Sequence, residues 1–195
     1  IGAAAAVSAY VLPELLARFT AEHPDVRLLV RTGHSEELVD AVVRGEVALG
    51  LVRELRDSRV SSRPLYEDEL VLVARPDHPF AEHGRIDVRR LGEARLILFD
   101  RTSSYYGLTN ALLRQAGVSP PGIMELDNIE AAKRMVERGL GVALLPGTAV
   151  ADALATGSLV RVELMGAGPI RRRIVAVERV LTAEPSAALR AFREL

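Results

Sequence analysis

Two kinds of hydrophobic pattern alternate along the chain. Short and nearly continuous apolar runs predict buried strands, because a strand that is covered on both faces needs no polar side. Between these runs, apolar residues recur every three or four positions, which predicts helices with one buried face. The predicted strands are residues 1–6, 26–30, 47–52, 70–74, 96–99, 123–126, 142–145, 159–164 and 174–177. The predicted helices are residues 12–23, 35–44, 105–116, 129–138 and 185–195.

Turn-forming residues support these boundaries. Pro13 suits a first helical turn, and Gly45, Gly117 and Gly139 each follow the end of a predicted helix. The segment RPDHPF, after the fourth predicted strand, is rich in turn residues and marks a change in composition.

The alternation of strands and helices predicts an α/β fold made of two lobes. Residues 1–73 and 163–195 are expected to form lobe I, and residues 74–162 are expected to form lobe II. The chain should cross between the lobes near residues 73–75 and return near residue 162.

The composition is that of a globular domain without an evident nucleic-acid surface. The 195 residues are 49% hydrophobic and 26% charged, which suffices to bury one or two cores. Lys plus Arg number 25 against 26 Asp plus Glu, so the positive excess expected of a protein that contacts many DNA phosphates is missing. No cysteine is present for a disulfide or a thiolate metal site. No apolar run approaches the roughly 20 residues of a membrane span.

Small polar segments follow several predicted strands and precede helices. They are GHSEE at residues 33–37, DRTSSYY at residues 100–106, Asn128, and the pair Gly147 and Thr148. In an open α/β sheet, helix N-termini gather at the carboxyl ends of the strands, where their free N–H groups suit an anionic ligand. The shared position of these segments predicts a binding cleft.

Each of these residues also has an ordinary structural interpretation. Asn128 is more often a helix cap than a ligand contact. His34 fits a surface loop as well as it fits a ligand donor, and Arg101 is by default a solvated side chain. The RRR at residues 171–173 is best explained as a solvated strand end. No single one of these positions indicates a binding site, and the prediction of a cleft rests on their shared location at the strand ends.

The sequence lacks the motifs of common catalytic and cofactor sites. GLG at residues 139–141 precedes a strand and lacks the third glycine of a dinucleotide-binding motif. There is no GxxxxGK[ST], GxSxG or HExxH, and the four histidines lack zinc-ligand spacing. No carboxylate pair stands out as a general acid and base. We therefore expect a binding module with no cofactor and no metal.

Four segments in order give the chain a family resemblance. They are IGAAAAVSAYVLPELLARFTAEHPDV, GHSEELVDAVVRGEVALGLV, VARPDHPF and NIEAAKRMVERGLGVALLP. With them the chain resembles the effector-binding domain of LysR-type transcriptional regulators over essentially all 195 residues. The resemblance implies a type 2 periplasmic-binding-protein-like fold, in which two Rossmann-like lobes are joined by two crossover strands around a cleft for a small inducer.

The polar segments and the resemblance together give a set of candidate ligand-binding residues. These are Ala4, Ala6, Ser8, Gly33, His34, Ser35, Glu36, Arg101, Thr102, Ser103, Ser104, Asn128, Gly147 and Thr148. Family members often have a hydroxyl residue at the position of Ala4, where it helps to hold an effector anion, and Ser8 is the hydroxyl that offers a replacement here. We expect a small organic anion as the effector. Either the pocket is more apolar on the side of lobe I, or the ligand depends less on a carboxylate clamp than in relatives that sense simple organic acids.

The resemblance also implies partners and a cytoplasmic location. Family domains pair as homodimers through a strand and a helix of each lobe, and residues 38–44 are a candidate for that interface. Full-length members are commonly tetramers and contact DNA through an N-terminal winged helix-turn-helix. That domain lies outside these 195 residues, so the chain is expected to be a piece of a longer protein. No membrane partner is expected.

Two other classes of protein share this fold. A solute-binding protein of a transporter would be monomeric and exported. A small lyase or dehydratase would need an acid or base in the cleft, for which Glu36, Asp100 and Asp127 are the candidates. The order and spacing of the four segments favour the regulator.

Overall fold

The computed structural model describes residues 1–101, 103–180 and 184–195. Its strands are β1 (Gly2–Ala4), β2 (Arg31–Gly33), β3 (Gly50–Arg53), β4 (Val60–Ala74), β5 (Arg85–Asp87), β6 (Arg95–Phe99), β7 (Gly122–Leu126), β8 (Val142–Pro146), β9 (Val160–Met165) and β10 (Ile170–Arg179). Its helices are α1 (Ala5–Tyr10), α2 (Leu12–Glu22), α3 (Ser35–Val43), α4 (Ser104–Ala116), α5 (Ile129–Glu137), α6 (Gly147–Thr156) and α7 (Ala187–Arg193). Short 3-10 helices at Pro79–Ala81 and Val88–Glu93 flank β5. The chain forms two compact units, which are unit 1 (Ile1–Glu67 and Arg172–Leu195) and unit 2 (Asp68–Arg171).

Unit 1 is built on a sheet with the strand order β2, β1, β3, β10 and the first part of β4. β1 pairs in parallel with β2 and β3, so that Ala3 lies opposite both Thr32 and Leu51. β10 runs antiparallel to β3, with Val175 opposite Val52. Because β1, β2 and β3 are parallel, their carboxyl ends lie at one edge of this sheet.

Helices cover both faces of the unit 1 sheet. On one face Ile174 packs in a cluster with Phe19 of α2 and Phe192 of α7, whose rings meet edge to face with centroids 5.3 Å apart. On the other face the next residue, Val175, packs in a cluster with Leu38 of α3. This two-sided burial explains why the strands of unit 1 have nearly continuous apolar sequences.

Unit 2 contains a sheet in which the strands β4, β8, β6 and β7 follow one another. β4 is antiparallel to β8, with Val71 opposite Leu145, and β9 and β5 extend the sheet from β4. β6 is parallel to both β7 and β8, with Ile97 opposite Met124 and Ala143. Helices α4 and α5 pack on β6, and α6 packs on β8. The carboxyl ends of β6, β7 and β8 therefore share one edge of unit 2.

The five helices predicted from apolar spacing are present, with ends that differ by a few residues at most. Gly117 and Gly139 follow α4 and α5 with φ angles of 66° and 74°. Side chains disfavour this left-handed backbone, so glycine is the residue that ends a helix in this way.

Two helices were not predicted. The predicted strand 1–6 ends at Ala4, because the alanine run favours a helix and α1 begins at Ala5. α6 was missed because its first residues, Gly147 and Thr148, have the composition of a loop.

The predicted strand 26–30 is wrong, because β2 begins only at Arg31. The apolar residues before it include Leu28, which packs on the cluster around α2, whereas Leu29 is 71% exposed. The Ile1 backbone nitrogen donates a hydrogen bond of 2.7 Å to the Leu29 carbonyl oxygen. Part of the run is therefore apolar because it packs on a core, and residues 26–30 lie outside the strand β2.

The boundaries of the two units differ from those predicted for the lobes. The chain passes from unit 1 to unit 2 between residues 67 and 68 and returns between residues 171 and 172. Both crossings lie inside strands, β4 and β10, that are longer than the predicted runs. Residues 70–74 of β4 already pair with β8 and β9 within unit 2, so the first crossing comes before the apolar run and not after it.

Candidate functional site

The carboxyl-end edge of unit 1 lies where β1, β2 and β3 end, at Ala4, Gly33 and Arg53. Ser8 of α1 and Thr32 of β2 have hydroxyl oxygens 2.7 Å apart, and either hydroxyl can be the donor. A hydroxyl can donate and accept hydrogen bonds, so this pair can adapt to a ligand of either kind. Ser8 was predicted as a site residue, whereas Thr32 was not.

Ala4 and Ala6 have buried side chains. They are 6% and 3% exposed, and Ala4 belongs to the same apolar cluster as Phe19. Their methyl groups therefore pack into unit 1, and a ligand could use only their backbone atoms. Ala5, between them, is exposed.

The segment that joins β2 to α3 is fixed by hydrogen bonds. The exposed His34 precedes α3, and its backbone N–H donates to Glu37 Oε2 at 3.4 Å. Ser35 is buried, and its Oγ accepts a hydrogen bond of 3.2 Å from the Arg53 backbone N–H. Ser35 thus links the start of α3 to the end of β3, which is a structural contribution to this edge.

Arg53 is a charged residue of this edge that the sequence analysis did not select. Its Nη2 forms an ion pair with Oε1 of Glu36, a predicted site residue. Its Nε is buried and has no hydrogen-bond partner within the described residues. In the sequence, an arginine at the end of an apolar strand is interpreted as a solvated side chain. Only its ion pair with Glu36 in the structure identifies Arg53 as a candidate site residue.

The corresponding edge of unit 2 lies where the parallel strands β6, β7 and β8 end, at Phe99, Leu126 and Pro146. The predicted residues Arg101, Ser103, Ser104, Asn128, Gly147 and Thr148 follow these strand ends within five residues. The structure therefore brings these predicted residues to one edge of unit 2.

The first loop of this edge leads into α4. Ser103 caps the helix, since its Oγ accepts a hydrogen bond of 3.2 Å from the Tyr105 backbone N–H, and Ser104 is the first helical residue. Arg101 is exposed, and its guanidinium lies 5.9 Å from the centroid of the Tyr106 ring, a cation–π contact. The predicted residue Thr102 lies outside the described residues.

Asn128 caps α5. Its Oδ1 accepts a hydrogen bond of 2.9 Å from the Ala131 backbone N–H, and the residue is exposed. The ordinary interpretation of Asn128 as a helix cap is therefore confirmed, and this oxygen is already in use.

Gly147 and Thr148 form the first turn of α6. The helix follows Pro146, whose side chain cannot accept a hydrogen bond from the first N–H groups of the helix. The Thr148 Oγ1 is buried and lacks a hydrogen-bond partner among residues 1–101, 103–180 and 184–195. A buried hydroxyl without a partner costs about 1–3 kcal/mol, so a ligand that accepts a hydrogen bond from this atom would be favoured.

A buried carboxylate in unit 2 was also missed by the sequence analysis. Asp68 is 3% exposed and accepts a hydrogen bond of 3.2 Å from the hydroxyl of Tyr105, which is also buried. The acidic run that contains Asp68 gives no sign of which residue turns inward.

Two open cavities have linings that contain none of the predicted site residues. One, of about 340 Å³, lies in unit 2 between α4 and residues 166–171. The other, of about 220 Å³, lies in unit 1 and is lined by α2, α7 and residues 26–29. Across the described part of the chain, no cluster of His, Cys, Asp or Glu suits a metal ion. No helix described here has the length and apolar character needed to cross a membrane.

Comparison with known proteins gives a family and a fold. The model of the LysR substrate binding domain matches residues 1–195. The chain is 34% identical over 160 residues to YusT, an uncharacterised HTH-type transcriptional regulator of Bacillus subtilis (strain 168). This alignment covers 82% of the chain but only 52% of YusT, so the chain spans about half the length of that relative.

Two solved structures have the same fold. The regulatory domain of CcmR from Synechocystis PCC6803, in complex with 2-PG, superposes with a TM-score of 0.85, at 22% identity over 99% of this chain and 92% of that one. The effector binding domain of QuiR in complex with shikimate superposes with a TM-score of 0.80, at 21% identity over 99% of this chain and 91% of that one. The α/β fold predicted from the sequence is therefore confirmed.

Proposed function

The chain belongs to the family of LysR substrate binding domains, and from this premise we propose that it senses a small organic anion for a LysR-type transcription regulator. The relative YusT is a transcriptional regulator, and regulators of this family are not enzymes. The candidate contacts for an anion lie at the carboxyl-end edge of each unit, where the predicted site residues are found. These edges combine helix starts, whose N–H groups favour negative charge, with hydroxyl side chains.

The observation that carries the proposal is the state of Thr148. Its buried Oγ1 lacks a partner in the described residues, and it stands in the first turn of a helix whose N-cap is a proline. A carboxylate or phosphate oxygen could accept hydrogen bonds from this hydroxyl and from the first N–H groups of α6 together. The buried hydroxyl would then no longer be unsatisfied, which favours the bound state.

Unit 1, considered by itself, also has two groups at its carboxyl-end edge that suit an anion. The hydroxyl pair of Ser8 and Thr32 supplies donors that replace the hydroxyl missing at Ala4, and the guanidinium of Arg53 supplies a positive charge. The solved relatives are consistent with small ligands, since QuiR is in complex with shikimate and CcmR with 2-PG. For this chain we propose a ligand of similar size that carries at least one negative group.

We also propose that the chain forms a homodimer through the strands β2 and β7, which lie at the two ends of the main strand order. In unit 1 the outermost strand is β2, and it is preceded by Leu29 and Val30, which are 71% and 41% exposed. In unit 2 the outermost strand is β7, in which Ile123 is 51% exposed. Exposed edge strands are templates for pairing with another chain, and a second copy would cover both strands and the apolar residues beside or within them.

The helix that was expected at the interface, residues 38–44, suits this role less well. Its apolar side chains Leu38, Val39 and Val42 pack in the core of unit 1. The outward residues of α3 include Glu36 and Glu37, so the exposed face of the helix is charged. The edge strands are therefore the better candidates for the contact.

In the full-length protein, ligand binding would be transmitted to a DNA-binding domain. Because the chain spans about half of YusT, the remaining half has room for the winged helix-turn-helix of the family. A ligand changes DNA binding only if it binds one arrangement of the dimer more tightly than another, and about 1–3 kcal/mol of coupling is typical. We propose that this regulation takes place in the cytoplasm, with a tetramer as the DNA-bound form.

A thermal-shift screen tests the proposed ligand class. The 195-residue chain would be heated with benzoate, shikimate, inorganic phosphate and the neutral analogue benzamide. Binding to the folded state raises the melting temperature according to RT ln(1 + [L]/Kd). We expect a saturable rise with at least one anion, no rise with benzamide, and loss of the rise in a Thr148→Val variant. An anion that stabilises the Thr148→Val variant as much as the original chain would contradict the proposal.

A further inference from the structure

Arg53 occupies a fixed place at the carboxyl-end edge of unit 1. It is the last residue of β3, and its backbone N–H is held by Ser35 Oγ at 3.2 Å. Ser35 and Glu36 are the first two residues of α3, so the end of β3 and the start of α3 are tied together. The backbone of Arg53 is therefore fixed at the edge that carries the predicted site residues of unit 1.

The hydrogen-bonding capacity of this guanidinium is only partly used. Nη2 pairs with Glu36 Oε1, while the buried Nε has no acceptor in the part of the chain that the structure describes. A guanidinium offers five N–H donors in a planar fork that matches the two oxygens of a carboxylate or phosphate. The guanidinium of Arg53 therefore has more N–H donors than the one that Glu36 engages.

Glu36 is a partner that can be replaced. Its side chain is 59% exposed, compared with 29% for Arg53. An ion pair with a solvent-exposed acid contributes little, because water solvates the separated carboxylate well and salt screens the attraction. A free anion that reaches Arg53 therefore competes with a weakly held side chain, and the displaced Glu36 carboxylate moves into water.

We propose that Arg53 is the cation that recognises the effector anion on unit 1, and that Glu36 is its internal competitor. In the free protein Glu36 neutralises the guanidinium, and a bound carboxylate or phosphate takes its place on Arg53. The proposal rests on the proposed function for the presence of an anionic effector. Beyond the proposed function, it names Arg53 as the residue that selects a negatively charged ligand. It also narrows the ligand class to molecules with two neighbouring anionic oxygens, as in a carboxylate or phosphate.

Isothermal titration calorimetry on the 195-residue chain tests this exchange with benzoate, shikimate and inorganic phosphate as probes. Arg53→Met should weaken anion binding by about 10- to 100-fold, the loss expected for hydrogen bonds to a charged group. Glu36→Gln should tighten it by about two- to fivefold, because the competing charge is removed. Arg53→Lys keeps the charge but loses the fork, and it should bind with intermediate affinity.

A second ion pair on the same helix provides matched controls. Asp40 lies one turn after Glu36 on α3 and pairs with Arg59, with Nη2 and Oδ1 2.8 Å apart. Asp40→Asn and Arg59→Met change the charge of unit 1 as Glu36→Gln and Arg53→Met do, but they leave the exchanging pair intact. We expect both controls to bind the anions within about twofold of the original chain, since a charge change that does not touch the ligand has a small effect in salt.

Each outcome supports or refutes the exchange. An anion that binds the original chain and Arg53→Met equally, while circular dichroism shows both to be folded, overturns the assignment of Arg53. Weaker binding by Glu36→Gln overturns the competitor role, because Glu36 would then help to hold the ligand. Failure of both the original chain and Glu36→Gln to bind any of the three anions also refutes the inference. Binding that survives Arg53→Met but is lost in Thr148→Val refutes only this inference and leaves the proposed function standing.

Discussion

Replacing Thr148 by valine tests whether the hydroxyl at the start of α6 lacks a partner. The two side chains have the same shape, so the change removes a buried polar atom without opening a cavity. Burying an unpaired hydroxyl costs about 1–3 kcal/mol, and we take the low end of this range because the residue as a whole is only partly buried. We expect the free energy of unfolding of the ligand-free chain to rise by about 1 kcal/mol. For a chain of this length the melting temperature should rise by about 2–4 °C.

Thr109 provides the matched control for this substitution. It is 1% exposed, and its Oγ1 donates to the carbonyl oxygens of Tyr105 and Tyr106, each at 3.1 Å. Thr109→Val should therefore lower the free energy of unfolding by about 1 kcal/mol, because it removes hydrogen bonds that are made. Urea unfolding followed by circular dichroism measures both variants. If Thr148→Val destabilises the chain as much as Thr109→Val does, the Thr148 hydroxyl has a partner in the free protein, and the reasoning about its role fails.

Three further predictions concern parts of the fold away from the ligand. Gly141→Ala should lower the free energy of unfolding by at least about 1–3 kcal/mol, because a Cβ there would overlap the carbonyl oxygen of Arg95. Gly107→Ala lies in α4, where a Cβ meets nothing within 4 Å, and should raise the free energy of unfolding by about 0.5–1 kcal/mol. Urea unfolding compares the two variants, and equal effects would contradict the close packing around Gly141. Hydrogen bonds from Arg59 lower the pKa of the Asp57 carboxyl to about 2. This pair therefore contributes stability above about pH 4 that is lost as the pH falls towards 2, and an NMR titration of Asp57 with its midpoint near 4 would refute the assignment.

The sequence predicts the helices of this fold well where local signals and packing agree. α2 has Pro13 in its first turn and an apolar face that contains Phe19, and α4 ends at Gly117 with the left-handed backbone that glycine allows. In the segment 26–30 the local signal and the packing disagree. Its apolar residues suggest a strand, but residues such as Leu28 pack next to α2 instead. Hydrophobicity alone does not separate a strand from an extended segment on a core.

The candidate site could be predicted in outline but not in detail. Strand-end loops can be located from the pattern, because parallel strands present their carboxyl ends at one edge. The burial of Ala4 and Ala6 depends on the helix α1, whereas residues 1–6 are predicted from the sequence as a strand. Likewise, Arg53 is notable only because Glu36 lies beside it, and Thr148 only because its hydroxyl lacks a partner in the described structure. Such facts depend on three-dimensional contacts that no local pattern encodes.

The most direct test of the proposed sensing function is an NMR titration that follows the backbone N–H groups of Gly147, Thr148 and Ala149 while benzoate or shikimate is added. Hydrogen bonds from the first turn of α6 to the anion should shift these three signals saturably, and benzamide should leave them unchanged. Shifts confined to the cavity lined by residues 166–171, with the start of α6 unaffected, would contradict the proposed site.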